Sequence, residues 1–511
     1  MGEKKLYIYE VRGIQDYIFR TNKIKEMIGA SQKIENIIIQ LFIKETESKN
    51  VRINKQASEF YKGEIQENVT VVDDNDELDI LKEESTTDAE VVYYGGGNLL
   101  VLYKDEETAE KISRRMSMNL IKDTYSLRIV YTGVDVTGHY KKDYEELREK
   151  LANKKAVMAA TEPVRSFPIT MNDPITGMPF TMEKDGNMVT YESYKKLETK
   201  RNATADINTF GSEEGESLVA IVHIDGNRMG DFVKSQMQAD SNVEMTYDEA
   251  AKSARRVSRI IQKTFVKDAL GEVENNIEKY CELAGLEGRK KINAFRKIIT
   301  AGDDITFVCN ARIAMNCAKG FMEALDRGVV LEDGSVYKFN ACGGIYVTHT
   351  HFPFSRAYDY AEELCDSAKK PSRTNAGDYI DFLVGNGGIL NELDVIKDRE
   401  FKDVEGNNIS ARPYYVTKPE EEKEGLYGIS NLTAILNKLK KVPRTKLKGL
   451  RESFLQGTKL FEKELERINS RLSDGDKIEL ERSEYGILFD AIDIMDLKWG
   501  EVCDETNETE N

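Results

Sequence analysis

The chain is poor in the residues that build metal frameworks and disulfide scaffolds. Its six cysteines, at positions 281, 309, 317, 342, 365 and 503, include no Cys-x-x-Cys pair, so neither a zinc finger nor a disulfide framework is expected. They read as small core residues. The four histidines, at 139, 223, 349 and 351, are never followed by aspartate, which argues against a His-Asp metal nuclease. No apolar run reaches the roughly 18 residues of a membrane span, and the opening stretch MGEKKLYIYE lacks a signal-peptide core. A cytoplasmic protein without membrane contact is expected. Positive charge is short as well: 73 Lys and Arg against 90 Asp and Glu leave a net −17, the reverse of a free-standing nucleic-acid binder. Any nucleic-acid contact is then local or borrowed from a partner.

What is present is a chain of 511 residues, 40% of them hydrophobic, enough for about three domains of roughly 150 residues that each bury a core. Periodicity predicts a strand at Leu6 to Val11, a long helix at Ile14 to Phe42, and a hairpin of Val91 to Tyr94 and Leu99 to Tyr103. A helix from Asp105 to Leu120, a strand from Leu127 to Val136 and a helix from Tyr140 to Lys155 complete the set. The polar stretch between Ser48 and Glu90 reads as a surface insertion. The same order returns later: a strand at Ser217 to Asp225, helix to about Lys267 with a charged insertion to Lys291, then strands at Arg296 to Ala301 and Ile305 to Cys309. A helix at Ala311 to Arg327, a strand at Lys338 to Thr348 and a helix at Phe354 to Lys370 follow. This is a long-period internal repeat. Aligned by eye, Arg12 and Gly97 of the first copy stand where the second has Asp225 and Asp303.

The domain boundaries expected from this reading are 1–155 for a first, non-catalytic copy with an insertion near 48–90, 156–215 for an irregular connector, and 216–417 for a catalytic copy. Residues 418–511 read as a C-terminal helical domain with a disordered acidic tail.

Chemistry concentrates in the second copy. In His223-Ile224-Asp225-Gly226-Asn227 an apolar strand ends in a carboxylate and turns at a glycine. Further on, Ala301-Gly302-Asp303-Asp304 puts two more carboxylates at a hairpin tip, behind a glycine whose missing side chain lets a phosphate or metal approach the backbone. If the two strands are neighbours, the carboxylates converge. Hard cations such as Mg²⁺ or Mn²⁺ take oxygen ligands, typically one or two carboxylates plus substrate phosphates. Two such ions about 3.5–4 Å apart stabilise the attacking and leaving oxygens of a phosphoryl transfer. Attack of a ribose hydroxyl on an α-phosphate, with release of pyrophosphate, is the implied reaction. A Gly-Asp or Asp-Asp pair at a turn is mostly turn chemistry; what favours catalysis is its pairing with the Asp225 strand end and its loss from the first copy. Lys369, near the end of a helix, either meets a triphosphate or complements the helix dipole. His349 and His351 would share a strand face with no further ligand near, so a surface or loop-packing role is expected.

Asp225-Gly226-Asn227-x-Met229-Gly230, Ala301-Gly302-Asp303-Asp304 and the Phe354 to Lys370 run resemble the second palm of the large, polymerase-like subunit of type III CRISPR effector complexes. That palm is itself similar to GGDEF-type diguanylate cyclase domains. Gly13-Ile14-Gln15-Asp16-Tyr17-Ile18-Phe19 resembles the same family's first palm, and Arg412-Pro413-Tyr414 the end of its second. The resemblance implies an α+β fold of two ferredoxin-like palm domains plus a C-terminal helical domain. It implies a nucleotidyltransferase that makes cyclic oligoadenylates from ATP in antiviral defence. Asp225, Asp303 and Asp304 would hold the metal, and Gly226, Asn227, Ala301, Gly302 and Lys369 would bind nucleotide. Protein or ribonucleoprotein partners would hold any guide RNA, since phosphate contacts need local Lys and Arg. The sequence departs from the family at Ala301, which replaces a glycine, at Asn227, which replaces an acid, and in lacking the His-Asp nuclease and zinc cysteines. A shortened or stand-alone relative, rather than a full interference subunit, is expected. The alternatives are a non-catalytic nucleotide-binding scaffold subunit and a cyclase using another nucleotide.

Overall fold

The computed structural model describes residues 4–21, 23–34, 37–53, 77–95, 97–158, 169–198, 218–236, 245–286, 294–331, 333–385, 392–419, 425–497 and 499. Most of the polar stretch at 48–90, the end of the charged insertion near Lys291, parts of the connector and the acidic tail from Glu501 lie outside the described residues. The chain forms two compact units, one of Met1–Thr204 with Arg228–Lys263 and one of Ala205–Asn227 with Thr264–Asn511. Among the described residues no helix is long and apolar enough to cross a membrane.

In the first unit, β1 (Lys5–Arg12), β2 (Ala89–Gly95), β3 (Asn98–Tyr103) and β4 (Arg128–Asp135) form an antiparallel sheet in the order β2-β3-β1-β4. This is the ferredoxin-like order. Alternation along β1 divides its faces. Leu6 and Ile8 join Leu100, Leu102, Val130 and Val134 in one core, while Tyr9 on the other face bonds Tyr103 (2.7 Å) and Ser113 (2.8 Å). The helix expected over Ile14 to Phe42 breaks after Phe19: α1 (Ile14–Phe19) is followed by α2 (Ile24–Ile34) and α3 (Ile37–Ser48), with residues 35 and 36 between the last two outside the described residues. After α1 the Thr21 hydroxyl accepts from the Lys23 amide (3.1 Å), a local bond that competes with the helical ladder. α4 (Glu106–Thr124) starts at an Asp105 cap that accepts from the Thr108 amide, and α5 (Tyr140–Val157) follows β4.

The connector is less irregular than the sequence suggested. It carries the hairpin β5 (Phe180–Lys184) and β6 (Asn187–Thr190), and the helix α6 (Tyr191–Leu197). Asp185 and Gly186, both at positive φ (51° and 77°), make the turn. α7 (Met229–Gln236) and α8 (Tyr247–Ile261) also belong to this unit. Arg255 and Ser258 of α8 donate to the carbonyls of Val91, Val92 and Tyr94, so the helix covers the open edge at β2.

The second unit contains β7 (Leu218–Gly226), α9 (Leu270–Leu283), β8 (Phe295–Ala301), β9 (Asp304–Asn310), α10 (Ala314–Asp326), the small ladder β10 (Val329–Val330) and β11 (Val336–Tyr337), β12 (Ala341–His349) and α11 (Phe354–Ser372). The charged insertion is thus helical as far as Leu283. Within a six-stranded sheet, β8-β9-β7-β12 repeats the first unit's order. β13 (Tyr379–Val384) adds to β12 in parallel, and β14 (Tyr414–Tyr415) follows α12 (Leu393–Glu400) and pairs with β13. Both sheets with their helices make the fold α+β, with two ferredoxin-like palms and a helical C-terminal part.

That C-terminal part comprises α13 (Ile429–Leu439), α14 (Arg444–Leu455), α15 (Thr458–Asn469) and α16 (Tyr485–Ile494). α14 and α15 are separated at Gly457, whose φ of 118° suits glycine. A buried charge cluster ties these helices to the sheet. The Arg412 guanidinium pairs with Asp490 (3.0 Å) and Asp493 (2.8 Å) and lies over the rings of Phe382 and Phe401.

Candidate functional site

β7 lies between β9 and β12, and its last pairing with β9 sets Ile224 against Ile305. The next residues, Asp225 and Asp304, therefore face each other just beyond the ladder. Between β8 and β9, Ala301 pairs with Asp304 to close a two-residue turn of Gly302 and Asp303. Gly302 has φ 70°, a conformation that glycine adopts at the first central position of such turns. The sheet thus brings the strand-end carboxylate and the two hairpin carboxylates to one end of the second unit.

α11 supplies the cation. It can lie close to the sheet because β12 has Gly344 beneath it: a β-carbon there would fall 2.0 Å from the Ala361 carbonyl oxygen and 2.5 Å from the Cys365 amide nitrogen. Tyr358, Glu362, Cys365 and Lys369 follow one stripe of this helix. Tyr358 stands edge-on to His223, Cys365 donates to the Cys342 carbonyl, and Lys369 forms an ion pair with Asp225.

The electrostatics follow from this crowding. Burial and then the charge of Asp225 push Asp303 up to about 6; burial, Asp225 and Asp303 push Asp304 up to about 8. Burial works against the Lys369 ammonium, but Asp225 more than offsets it and holds its pKa above the ordinary lysine value. His223 is brought down to about 4, chiefly by burial, so its ring is neutral near pH 7. Asp304 Oδ1 is closed to solvent and accepts no hydrogen bond, with His223 Nδ1 3.5 Å away.

The other predicted site residues have distinct places. Gly226 pairs with Ala341 at the end of β7. Asn227 turns away from the carboxylates: its side-chain amide donates to the Gly377 carbonyl (3.2 Å) and its backbone N–H to the Asn340 carbonyl (2.8 Å). His349 and His351 are exposed at and beyond the end of β12. Sequence reasoning passed over His223, although its position two before Asp225 on a strand puts both on one face.

The first unit contains a related pair that the eye alignment misplaced. Its hairpin closes with Gly95 opposite Asn98, which aligns Gly97 with Asp303 and Asn98 with Asp304. The residue opposite Asn98 on β1 is Glu10, so Glu10 rather than Arg12 occupies the register position of Asp225. Glu10 forms an ion pair with Lys155 of α5, as Asp225 does with Lys369 of α11.

Among the described residues no group of three or more His, Cys, Asp or Glu side chains is arranged to hold a metal ion as it stands. Asp225 is engaged by Lys369. The donor chemistry nevertheless fits a hard divalent cation: carboxylate oxygens only, one of them buried without a hydrogen bond, and charges whose mutual repulsion a cation would relieve.

Residues 218–377 match the family model for the second palm domain of Cas10/Cmr2. Among curated proteins, none matches the chain. Solved structures similar to it include a Csm1-Csm4 cassette in complex with cA4, at 13% identity and TM-score 0.54 over 97% of this chain and 70% of that one. A Csm1-Csm4 cassette in complex with AMPPNP gives 14% identity and TM-score 0.53 over 98% and 70%. Csm1 from T. onnurineus gives 13% and 0.52 over 98% and 70%. At these identities the likeness is one of fold.

Proposed function

We propose that this chain, which carries a second palm domain of the Cas10/Cmr2 family, is a metal-dependent nucleotidyltransferase that makes a cyclic oligonucleotide signal from ATP for antiviral defence in the cytoplasm. The observation that carries this reading is the meeting of Asp225, Asp303 and Asp304 at one sheet end, with a buried Asp304 oxygen that has no hydrogen-bond donor. These three carboxylates would hold Mg²⁺ or Mn²⁺. When bound, the ions supply charge neutralisation at the attacking and leaving oxygens of an in-line displacement. In each step a ribose hydroxyl oxygen bonds to an α-phosphorus, the α–β bridging bond breaks, and pyrophosphate leaves.

The chain's own residues bind and orient. Gly302 presents bare backbone at the hairpin tip, and a phosphate can approach it without meeting a side chain. Lys369 reaches Asp225 from α11 and would exchange that carboxylate for the phosphates of a nucleotide. Glu10 and Lys155 keep an analogous pair in the first unit, where Gly97 and Asn98 replace the hairpin acids; that unit binds nucleotide without catalysis. The cA4 and AMPPNP complexes of similar Csm1-Csm4 cassettes support both a nucleotide substrate and a protein partner.

A second reading, a scaffold subunit that binds nucleotide without turnover, draws support from Asn227, whose side chain is committed to Gly377 rather than to a ligand. One experiment separates the two. The purified chain and its Asp303→Ala variant are incubated with each nucleoside triphosphate and Mg²⁺ or Mn²⁺, and products are identified by mass spectrometry. A cyclic product that disappears in the variant supports the synthase and identifies its base. Product that survives the substitution refutes the assignment of Asp303, and nucleotide binding without product favours the scaffold.

A further inference from the structure

β7 is apolar and buried from Val219 to Ile224 except at one position, His223. The residue is 5% exposed, and such a site in a central strand ordinarily takes a hydrophobic residue. The cross-strand pair of His223 is Thr306 on β9, and Asp304 lies two residues earlier on that strand, on the same face. His223 Nδ1 is 3.0 Å from Thr306 Oγ1 and 3.5 Å from Asp304 Oδ1. The ring is held in this orientation by Tyr358, which meets it edge-on with centroids 5.6 Å apart.

The carboxylate needs such a neighbour. Asp304 Oδ1 is shut off from solvent and accepts no hydrogen bond, and a buried oxygen without a donor is costly. The strand register that pairs His223 with Thr306 also brings the ring nitrogen to face this oxygen.

We propose that His223 is a positioning residue for Asp304: its Nδ1, hydrogen-bonded to the Thr306 hydroxyl, stands 3.5 Å behind the unsatisfied buried oxygen and closes on it as a donor when a divalent cation binds, which fixes the orientation of the hairpin carboxylate. This rests on the reading of Asp225, Asp303 and Asp304 as metal-binding. Histidine acts here from behind the ligand, as outer partners of ligating groups commonly do.

The test measures Mn²⁺ binding to the full chain without nucleotide, by calorimetry and by the electron paramagnetic resonance signal of free Mn²⁺, with a melting curve for every variant. His223→Phe keeps an aromatic ring against Tyr358 but removes the donor, and should weaken Mn²⁺ binding by about 10–100-fold. His223→Gln restores a donor amide and Thr306→Val leaves the histidine in place, and both should stay within about threefold of the parent. If His223→Phe does not fold, His223→Met serves as the donor-free variant. A folded donor-free variant that binds Mn²⁺ like the parent, or a Thr306→Val variant that weakens binding as much as His223→Phe, assigns His223 to core packing and overturns the proposal. Absence of Mn²⁺ binding by the parent chain is a separate outcome, which removes the metal-binding reading itself and this proposal with it.

Discussion

Gly344 governs how near α11 comes to the sheet, and a single methyl group there should displace the helix that carries Lys369. The β-carbon of Gly344→Ala would lie 2.0 Å from the Ala361 carbonyl oxygen, 2.5 Å from the Cys365 nitrogen and 2.8 Å from the Leu364 β-carbon, whereas ordinary contact begins near 3.4 Å. The helix must therefore retreat by the difference, about 1.4 Å, because interiors packed at crystal density have no slack to absorb it. The obstruction is backbone, which has no rotamer to change. Overpacking costs about 1–3 kcal/mol, and the backbone clash puts this case near the top, about 3 kcal/mol. At about 2–4 °C per kcal/mol for a unit of this size, the midpoint of thermal unfolding should fall by about 6–12 °C. Residues 361 and 365 precede Lys369 on the same helix, so the ammonium moves with them away from Asp225. A misplacement of about 1 Å at a reacting centre can cost about 100-fold in rate. The neighbouring Gly343→Ala is the control, since its β-carbon points to the other face and meets first the flexible end of Met322 at 3.0 Å. Melting curves and triphosphate turnover of the two variants decide the matter. If Gly344→Ala melts with Gly343→Ala and keeps the parent's turnover, the close approach of α11 does not position Lys369.

Replacement of Arg412 by Met should destabilise the second unit by about 3–5 kcal/mol, because Asp490 is fully buried and loses its counter-charge. Urea denaturation followed by limited proteolysis should show α13 to α16 cut first, and a midpoint equal to the parent's would refute the role given to the cluster. The raised carboxyls predict a pH dependence in the metal-free chain: folded Asp303 and Asp304 hold protons up to about 6 and about 8 that an unfolded chain releases near its ordinary carboxylate pKa of about 4. The folded state then binds more protons across this interval, so these groups lower stability progressively as pH rises from about 4 to about 8, with little further change above it. Asp304→Asn should flatten the slope of melting temperature between pH 5 and pH 8, and an unchanged slope would place the proton elsewhere.

Much of this molecule was legible in its residues, for identifiable reasons. The strands of both ferredoxin-like units came from runs such as Leu99 to Tyr103 and Leu218 to Ile224, whose burial leaves an apolar signature. Asp225 and the Gly302-Asp303 turn were visible because a strand end and a two-residue turn each restrict residue type. The Asp185-Gly186 turn was equally plain but lay in a stretch read as connector. β13 was missed because Tyr379 to Val384 is too short to separate by pattern from its surroundings. The break after Phe19 comes with a hydrogen bond that the Lys23 amide donates to the Thr21 hydroxyl, which periodicity does not register.

The misplacement of Arg12 has a different origin. Strand side chains alternate with a period of two, so sliding one copy against the other by two residues leaves every side chain on its original face. Leu6, Ile8, Glu10 and Arg12 share one parity, and hydropathy does not choose between Glu10 and Arg12 as the counterpart of Asp225. The hydrogen-bond register does, because it sets Glu10 opposite Asn98. With that register the contrast between the copies narrows. Each has a strand-end carboxylate paired with a helix lysine, Glu10 with Lys155 and Asp225 with Lys369. What remains different at this end of the sheets is the hairpin, Gly97 and Asn98 in one copy and Asp303 and Asp304 in the other. The carboxylate–lysine pair is therefore common to both units and does not distinguish them, so the weight of the proposed chemistry falls on the two acids of the second hairpin.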